Sequence, residues 1–273
     1  MTAESFKNVR YLNYNKYAIL SSTMTEKIYL YGRNPLKEAV LAIKRGKTSL
    51  IDKLFITKQA EEEPKIISLV QANKIPYDVV TYQEIESMVG KGVVHQGVCA
   101  LLNEGELYTS LEDVLLTAKN KNTNSVFILL DKLQDPHNVG AIIRSAVAFG
   151  ADAILLPDHD QVLINGTVIK TSSGMSFAVP IVKIGNSNTT LTKLKDNGFW
   201  TYGLTGEGDT KLQSTVFDTN TVIVVGGEGD GIRTKTLELC DFKLSIETSE
   251  LCESLNASNA SAVVLYEWKK QNK

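Results

Sequence analysis

Three short segments of this 273-residue chain carry side chains that could do chemistry. The first is Asp135-Pro136-His137-Asn138-Val139-Gly140-Ala141-Ile142-Ile143-Arg144. Asn138 can accept a bond from an orphan backbone N–H, as a helix N-cap does. Capping does not account for Arg144, a cation set in an otherwise apolar stretch. A buried guanidinium needs a partner, usually a phosphate or carboxylate, so Arg144 is expected to be buried and to hold an anionic group. The second segment is Val222-Ile223-Val224-Val225-Gly226-Gly227-Glu228-Gly229-Asp230-Gly231. Its glycines let the backbone turn sharply and approach a ligand closely. A dinucleotide is the rival reading, but Glu228 and Asp230 stand where a pyrophosphate needs positive potential. A neutral or cationic nucleoside suits such a loop, and S-adenosylmethionine, with its sulfonium, meets that requirement. A tight turn without a ligand could use the same residues. The third segment, Glu253-Ser254-Leu255-Asn256-Ala257-Ser258-Asn259-Ala260-Ser261, precedes an amphipathic stretch. Ser254 or Asn256 could cap that helix, or the segment could present hydroxyls and N–H groups to a ligand.

These segments need a frame to position them. Apolar patterning predicts strands over 27–31, 54–56, 76–80 and 97–102, with helices after Gly32-Arg33-Asn34-Pro35, over 66–70 and over 84–88. That is a compact unit of roughly 75 residues, near the small end for independent folding. Residues 103–124 are polar, with a helix expected at 111–117 and a domain boundary near residue 122. Further strands are expected at 125–130, 153–156, 179–184, 200–205, 221–225 and 242–246, and helices at 139–149 and 257–270. The unbroken apolar run at 125–130 fits a strand covered on both faces. Strand–helix alternation predicts an α/β fold, a mostly parallel sheet with helices on both faces. All three segments then fall at strand ends, where open α/β sheets bind ligands.

Composition narrows the class. Hydrophobic residues make up 43% and charged residues 22%, which excludes a wholly disordered chain, a collagen and a disulfide scaffold. No apolar run approaches the roughly 18 residues of a membrane span. Residues 1–26 lack the apolar core of a signal peptide, and Glu4 and Glu26 fit poorly with a transit peptide. A cytoplasmic enzyme or binding protein is the expectation. The net charge of -2 announces no nucleic-acid partner. Its distribution is less even: residues 1–47 hold nine basic and three acidic side chains, with Tyr11, Tyr14, Tyr17, Tyr29 and Tyr31 among them. That mixture suits a nucleic-acid backbone with accessible bases, and equally a solvated, partly disordered arm. Cys99, Cys240 and Cys252 have no CxxC spacing, and His95, His137 and His159 lie apart, so no metal site is expected. Reduced, buried thiols are the reading that remains.

Taken in order, Asn138 with Arg144, Gly226-Gly227-Glu228-Gly229-Asp230-Gly231 and Ser254-Leu255-Asn256-Ala257-Ser258 resemble the three motifs of the SpoU family of RNA 2'-O-ribose methyltransferases, within the SPOUT class. Tyr31-Gly32-Arg33-Asn34-Pro35-Leu36-Lys37-Glu38-Ala39 and Val94-His95-Gln96-Gly97-Val98 resemble the small ribosomal-protein-like domain of the large-subunit ribosomal RNA guanosine methyltransferases. The resemblance implies an N-terminal extension (1–27), an RNA substrate-binding domain (28–104), a linker (105–123) and a methyltransferase domain (124–273). It also implies a C-terminal trefoil knot that holds S-adenosylmethionine, and a homodimer whose active site draws on both chains. The matching catalytic set is Asn138, Arg144, Glu228, Ser254 and Asn256. Gly226, Gly227, Gly229, Ile246 and Leu255 match positions that hold the donor, and Leu204-Thr205-Gly206 lines the same pocket in relatives. Arg33, Asn34, His95 and Gln96 are expected at the RNA. Three features depart from the family pattern: Glu247 stands where Pro is usual, the loop 247–253 is acidic, and Asn259 replaces a small apolar residue.

The implied reaction moves a methyl group from the sulfonium to a ribose 2'-hydroxyl, most specifically that of a guanosine in 23S-type ribosomal RNA. Alignment of oxygen, carbon and sulfur is a large part of such catalysis. A guanidinium holds its proton throughout the accessible pH range. Arg144 is therefore expected to bind the ribose or a phosphate and stabilise charge on the attacking oxygen, with Glu228, Ser254 and Asn256 positioning substrate and arginine. A transfer-RNA 2'-O-methyltransferase, a resistance enzyme acting on ribosomal adenosine and a non-catalytic RNA-binding protein are the alternatives. A nicotinamide dehydrogenase is disfavoured by Glu228 and Asp230.

Overall fold

A computed structural model describes residues 27–272, apart from Glu228, Glu250 and Glu253. Residues 1–26 of the basic, tyrosine-bearing stretch, with Tyr11, Tyr14 and Tyr17, and the catalytic expectation at Glu228 thus lie outside the described residues.

The first unit runs β1 (Tyr29–Tyr31), α1 (Arg33–Lys44), β2 (Ile51–Thr57), α2 (Lys58–Glu61), α3 (Pro64–Ala72), β3 (Tyr77–Val80), α4 (Tyr82–Val89) and β4 (Val98–Leu102). Its sheet has the order β1-β4-β2-β3, with β4 antiparallel to both neighbours and β3 parallel to β2. Helix starts follow local chemistry: Pro64 stands in the first turn of α3, and Thr81 with Glu84 forms a reciprocal capping box on α4.

The second unit comprises α5 (Leu111–Lys119), β5 (Val126–Asp131), α6 (Pro136–Phe149), β6 (Ala153–Pro157), α7 (Gly166–Thr171), β7 (Ile181–Ile184), α8 (Ser187–Asp196), β8 (Phe199–Leu204), β9 (Thr210–Lys211), β10 (Asn220–Gly226), α9 (Thr234–Leu239), β11 (Phe242–Ser245) and α10 (Ala257–Gln271). Its seven strands are all parallel, in the order β7-β6-β5-β10-β8-β11-β9. Strand β5 shows why its sequence is apolar without a break. Phe127 and Leu129 enter a core with Leu191 and Leu194 of α8, while Ile128 and Leu130 enter the opposite one with Val264 and Leu265 of α10. The chain moves outward in one direction through β6 and β7, then in the other through β8 and β11. β10 sits between β5 and β8, so the order reverses at their carboxyl ends, where a crevice is expected.

The two units share one apolar core that runs from Leu30 to Trp268. Helix α7 makes the joint. An added Cβ on Gly166 would stand 2.5 Å from the Tyr29 carbonyl oxygen, so only glycine lets α7 approach β1 this closely. Lys170 of α7 donates to the Val94 carbonyl at 3.3 Å, and Tyr31 Oη lies 3.5 Å from Thr167 Oγ1.

Two expectations change. Asp135, not Asn138, caps α6: its carboxylate accepts from His137 N at 2.8 Å, and Pro136 opens the first turn. The thiols are free, but only Cys99 is buried, Cys240 is intermediate and Cys252 is exposed. Burial among apolar side chains pushes the Cys99 thiol up to about 12 and keeps it inert.

Candidate active site

The carboxyl ends of β8, β10 and β11 open into a cavity of about 760 Å³. Small-molecule sites span about 300–1,000 Å³, so one nucleoside-sized ligand fits. Leu204, Thr205 and Gly206 form one wall, Gly226, Gly227 and Gly229 a second, and Ile246 and Leu255 a third. Each wall is fixed by the fold. Thr205 N donates to Leu244 O at 3.0 Å, which ties the exit of β8 to β11. Gly231 N donates to Gly227 O at 3.2 Å and closes the glycine loop on itself. An added Cβ on Gly227 would lie 2.4 Å from Lys132 O, so the loop presses against the end of β5.

The lining decides what the cavity can take. Leu204, Val225, Leu244 and Leu255 supply apolar surface, Glu207 and Asp230 supply carboxylates, and among the described lining residues there is no Lys, Arg or His. A phosphate-bearing cofactor would meet no cation here. An adenosyl group with a positive sulfonium meets apolar walls, peptide groups and two carboxylates. Asp230 lines the cavity as the reading of the glycine loop expected, whereas Glu207 and Thr248 were not assigned from the sequence; each lies within two residues of a position that was, which is the signal they offered.

A second cavity of about 310 Å³ adjoins the first and shares Gly227 and Asp230 with it. Lys132, Leu133, Gln134, Asp135 and Asn138 complete its lining. Asn138 is buried in the first turn of α6, 8% exposed. Asn256 Nδ2 donates to Asn138 Oδ1 at 3.0 Å and joins the first segment to the third. The same Asn256 caps α10, its Oδ1 accepting from Ser258 N at 2.9 Å and from Ser258 Oγ at 2.6 Å. Because the cap needs the carbonyl oxygen, the amide nitrogen must face Asn138. Capping and site geometry are thus one arrangement. Ser254 lines the first cavity beside them and is exposed.

Arg144 is a correction. It is exposed, lines neither cavity, and makes no hydrogen bond or ion pair among the described residues. The buried stripe of α6 is Asn138, Val139, Ile142, Ile143 and Ala146. Arg144 lies two residues past Ile142, on the far side of the helix at about 100° per residue. His137 is also exposed, with Nδ1 3.3 Å from Thr171 Oγ1.

The residues expected at the RNA sit together on the first unit but contact one another. Arg33 N donates to Gln96 Oε1 at 3.0 Å, Arg33 Nε donates to Gln96 O at 3.4 Å, and the guanidinium pairs with Glu63. Arg33 remains 44% exposed and Asn34 is exposed, so both still face solvent. His95 corrects the expectation. His95 is 0% exposed, its ring lies 4.0 Å from that of Tyr82 at a 45° tilt, and its Nδ1 accepts from Gly97 N at 3.2 Å. Burial lowers its pKa below 6.5 and offers no ring atom to a nucleic acid.

Residues 125–266 match the SpoU rRNA Methylase family, and residues 29–108 match the RNA 2'-O ribose methyltransferase substrate binding family. The chain belongs to the SpoU methylase family. It is 33% identical over 244 residues to a putative TrmH family tRNA/rRNA methyltransferase of Staphylococcus epidermidis, covering 89% of this chain and 95% of that one. It is 40% identical over 185 residues to the 23S rRNA (guanosine-2'-O-)-methyltransferase RlmB of Xanthomonas campestris, covering 67% of this chain and 73% of that one. The SpoU methyltransferase AviRb of Streptomyces viridochromogenes, solved with its cofactor AdoMet, shares the fold. Its TM-score is 0.74, its identity 21%, and the overlay covers 90% of both chains. As a SpoU family member this protein is an RNA methyltransferase that uses S-adenosylmethionine, and the first cavity has the size and lining for that donor.

Proposed function

We propose that the protein methylates the ribose 2'-hydroxyl of a guanosine in large-subunit ribosomal RNA, in the cytoplasm and as a homodimer. The observation that carries this reading is the Asn256–Asn138 hydrogen bond, which fixes the boundary between a donor-sized cavity and a smaller one open beside it. The donor, when bound in the first cavity, supplies an electrophilic methyl carbon. The chain's own residues then have defined tasks. The peptide groups of Leu204, Thr205, Gly206, Gly226, Gly227, Gly229, Ile246 and Leu255 hold the donor. Asn138, Ser254 and Asn256 orient the acceptor ribose at the mouth of the second cavity. Glu228 holds the substrate or a neighbouring catalytic side chain.

Arg144 faces outward on α6, so its guanidinium serves a site across a subunit interface in this reading. An apolar patch where α10 meets the end of α6 supports the dimer: Val263 and Tyr266 of α10 are 41% and 59% exposed, and Phe149 meets Tyr266 edge-on at 5.9 Å. There Arg144 binds the ribose or an adjacent phosphate and stabilises the oxygen as it loses its proton; the guanidinium does not take that proton, which leaves to solvent water as the ether forms and the sulfonium becomes a neutral thioether. The trefoil is read where Ile246, Thr248, Ser254, Leu255 and Asn256 face the glycine loop, since both line the first cavity. The first unit is the RNA-binding domain, with Arg33, Asn34 and Gln96 at the nucleic acid and residues 105–123 as linker.

The choice of ribosomal RNA and guanosine rests on the RlmB relative and on the substrate-binding match at 29–108. Ribosomal RNA from a strain lacking this gene is incubated with protein and labelled donor, and the product is mapped by primer extension and mass spectrometry. One 2'-O-methylguanosine in the large-subunit RNA is expected. Methylation of transfer RNA, of an adenosine, or of nothing while RNA is bound would overturn the assignment in favour of the corresponding alternative.

A further inference from the structure

Asp131, the last residue of β5, is a carboxylate with 0% exposure. Three donors meet it. Arg233 N lies 2.9 Å from Oδ2, the Arg233 guanidinium binds Oδ1, and Ser187 Oγ donates to Oδ1 at 3.2 Å. The second arm of the Arg233 fork reaches Asp160 Oδ2 at 2.9 Å. A buried charge normally persists only when it is paired and hydrogen-bonded on this scale. Neither Asp131 nor Arg233 lines either cavity.

What the pair holds is the glycine loop. Gly226, where the loop begins, lies in register with Asp131 across the β10–β5 ladder. Gly227 rests against Lys132 O, the residue after Asp131, and Arg233 immediately follows Ile232, where the loop ends. One end of the loop therefore lies beside Asp131 in the ladder, and the other is tied through Arg233 to the Asp131 carboxylate. Between them Gly226, Gly227, Gly229, Asp230, Gly231 and Ile232 form a wall of the donor cavity. A segment with four glycines has unusual backbone freedom, and every conformation but one is useless for binding. Restricting it before the ligand arrives removes an ordering cost from the binding step.

We propose that Asp131 and Arg233 are positioning residues that latch the glycine loop and so set the affinity for the methyl donor. The proposal rests on reading the first cavity as the donor site. It concerns residues that touch no ligand, so its test needs readouts that plain destabilisation would not move. Full-length wild type, Asp131→Asn and Arg233→Lys are compared, each well below its own melting temperature. Asp131→Asn removes the charge, and Arg233→Lys keeps a charge but loses the planar fork. Asp241→Asn is the control for stability alone. Its carboxylate accepts from Thr201 N at 2.9 Å and pairs with Lys195 at 2.8 Å, just before β11, at the strand ends opposite the cavity.

Two quantities are read: affinity for S-adenosylhomocysteine by calorimetry, and amide hydrogen exchange over 226–232 without ligand. If the latch holds the loop competent ten times more often than an unlatched loop, affinity falls about tenfold when it is broken. That loss, with faster exchange in the loop and unchanged exchange within β10, is expected for both latch variants and not for Asp241→Asn. Loop exchange and affinity equal to wild type in folded latch variants would overturn the proposal, as would an equal loss in the control. If the wild type binds no S-adenosylhomocysteine, the donor-site reading fails, and ligand-free exchange still decides whether Asp131 and Arg233 hold the loop. Should Asp131→Asn not fold, Arg233→Lys and Asp160→Ala carry the same comparison, the latter trimming only the outer arm of the fork.

Discussion

The strand ends of the second unit and the motif residues of the first unit use their side chains in opposite ways. At the strand ends, residues from three separate segments turn toward an open cavity, and backbone hydrogen bonds fix each of its walls. In the first unit, Arg33, His95 and Gln96 turn toward one another, toward Glu63, or into the core. Helix α7 then fastens the same neighbourhood to the second unit through Lys170 and Gly166. A motif of polar residues can mark a ligand, or it can mark a joint in the chain. Only the direction in which the side chains point separates the two.

Changes at the proposed catalytic residues should strike transfer hardest. Arg144→Ala is expected to lower single-turnover methylation by about 10²–10³-fold, the scale of losing one charge-stabilising donor, with donor affinity unchanged. Arg144→Lys should also fall well short of wild type because the fork is lost. A near wild-type rate for the lysine variant would show that no guanidinium is required.

Asn256 separates capping from site geometry. Asn256→Ala should lower kcat by up to about 100-fold through misplacement of Asn138. It should also cost about 1 kcal/mol of stability through loss of the cap. Asn256→Asp keeps a good cap and loses the donor to Asn138. Its thermal midpoint should stay close to wild type while kcat still falls; recovery of kcat would mean that the Asn138 contact is irrelevant.

The joint should respond through RNA, not through donor. Gly174 has φ of +84°, and a Cβ there would come within 2.7 Å of Glu38 Cβ in α1. Gly174→Val is expected to raise KM for RNA several-fold and leave the affinity for S-adenosylhomocysteine unchanged. Equal effects on both ligands would merge the two regions into one.

The smallest effect concerns His95, whose folded pKa is lowered chiefly by burial. Unfolded chains bind a proton near pH 6.5 that the folded chain does not, so stability falls as pH drops from about 6.5 toward the lowered folded value. His95→Gln should flatten that part of the melting-temperature profile. An unchanged slope would place the titration on another group.

The longer strands were legible because apolar and β-branched runs report burial on both faces, as in 125–130, whereas the two-residue β9 is too short to show a pattern. Helix α8 was not. Its Ser187-Asn188-Thr189-Thr190 start is polar and β-branched, and only Leu191 and Leu194 bury apolar side chains. The Asn186 cap, whose Oδ1 accepts from Asn188 N and Thr189 N, was the local signal available. The six-residue helices α7 and α9 are too short for periodicity to show, and tertiary packing fixes them. Arg144 was misplaced because its neighbours are apolar. The spacing of Val139, Ile142, Ile143 and Ala146 already turns position 144 outward. The three strand-end segments were legible by type and order, whereas the latch was not. Asp131 and Arg233 lie 102 residues apart, and nothing local in either marks the pairing.

A crystal soaked with S-adenosylhomocysteine tests the central claim most directly. Electron density for the ligand among Leu204–Gly206, the glycine loop and the Ile246–Leu255 segment is the result expected, with its sulfur turned toward Asn138. Density at any other surface, with that cleft still open, would contradict the account.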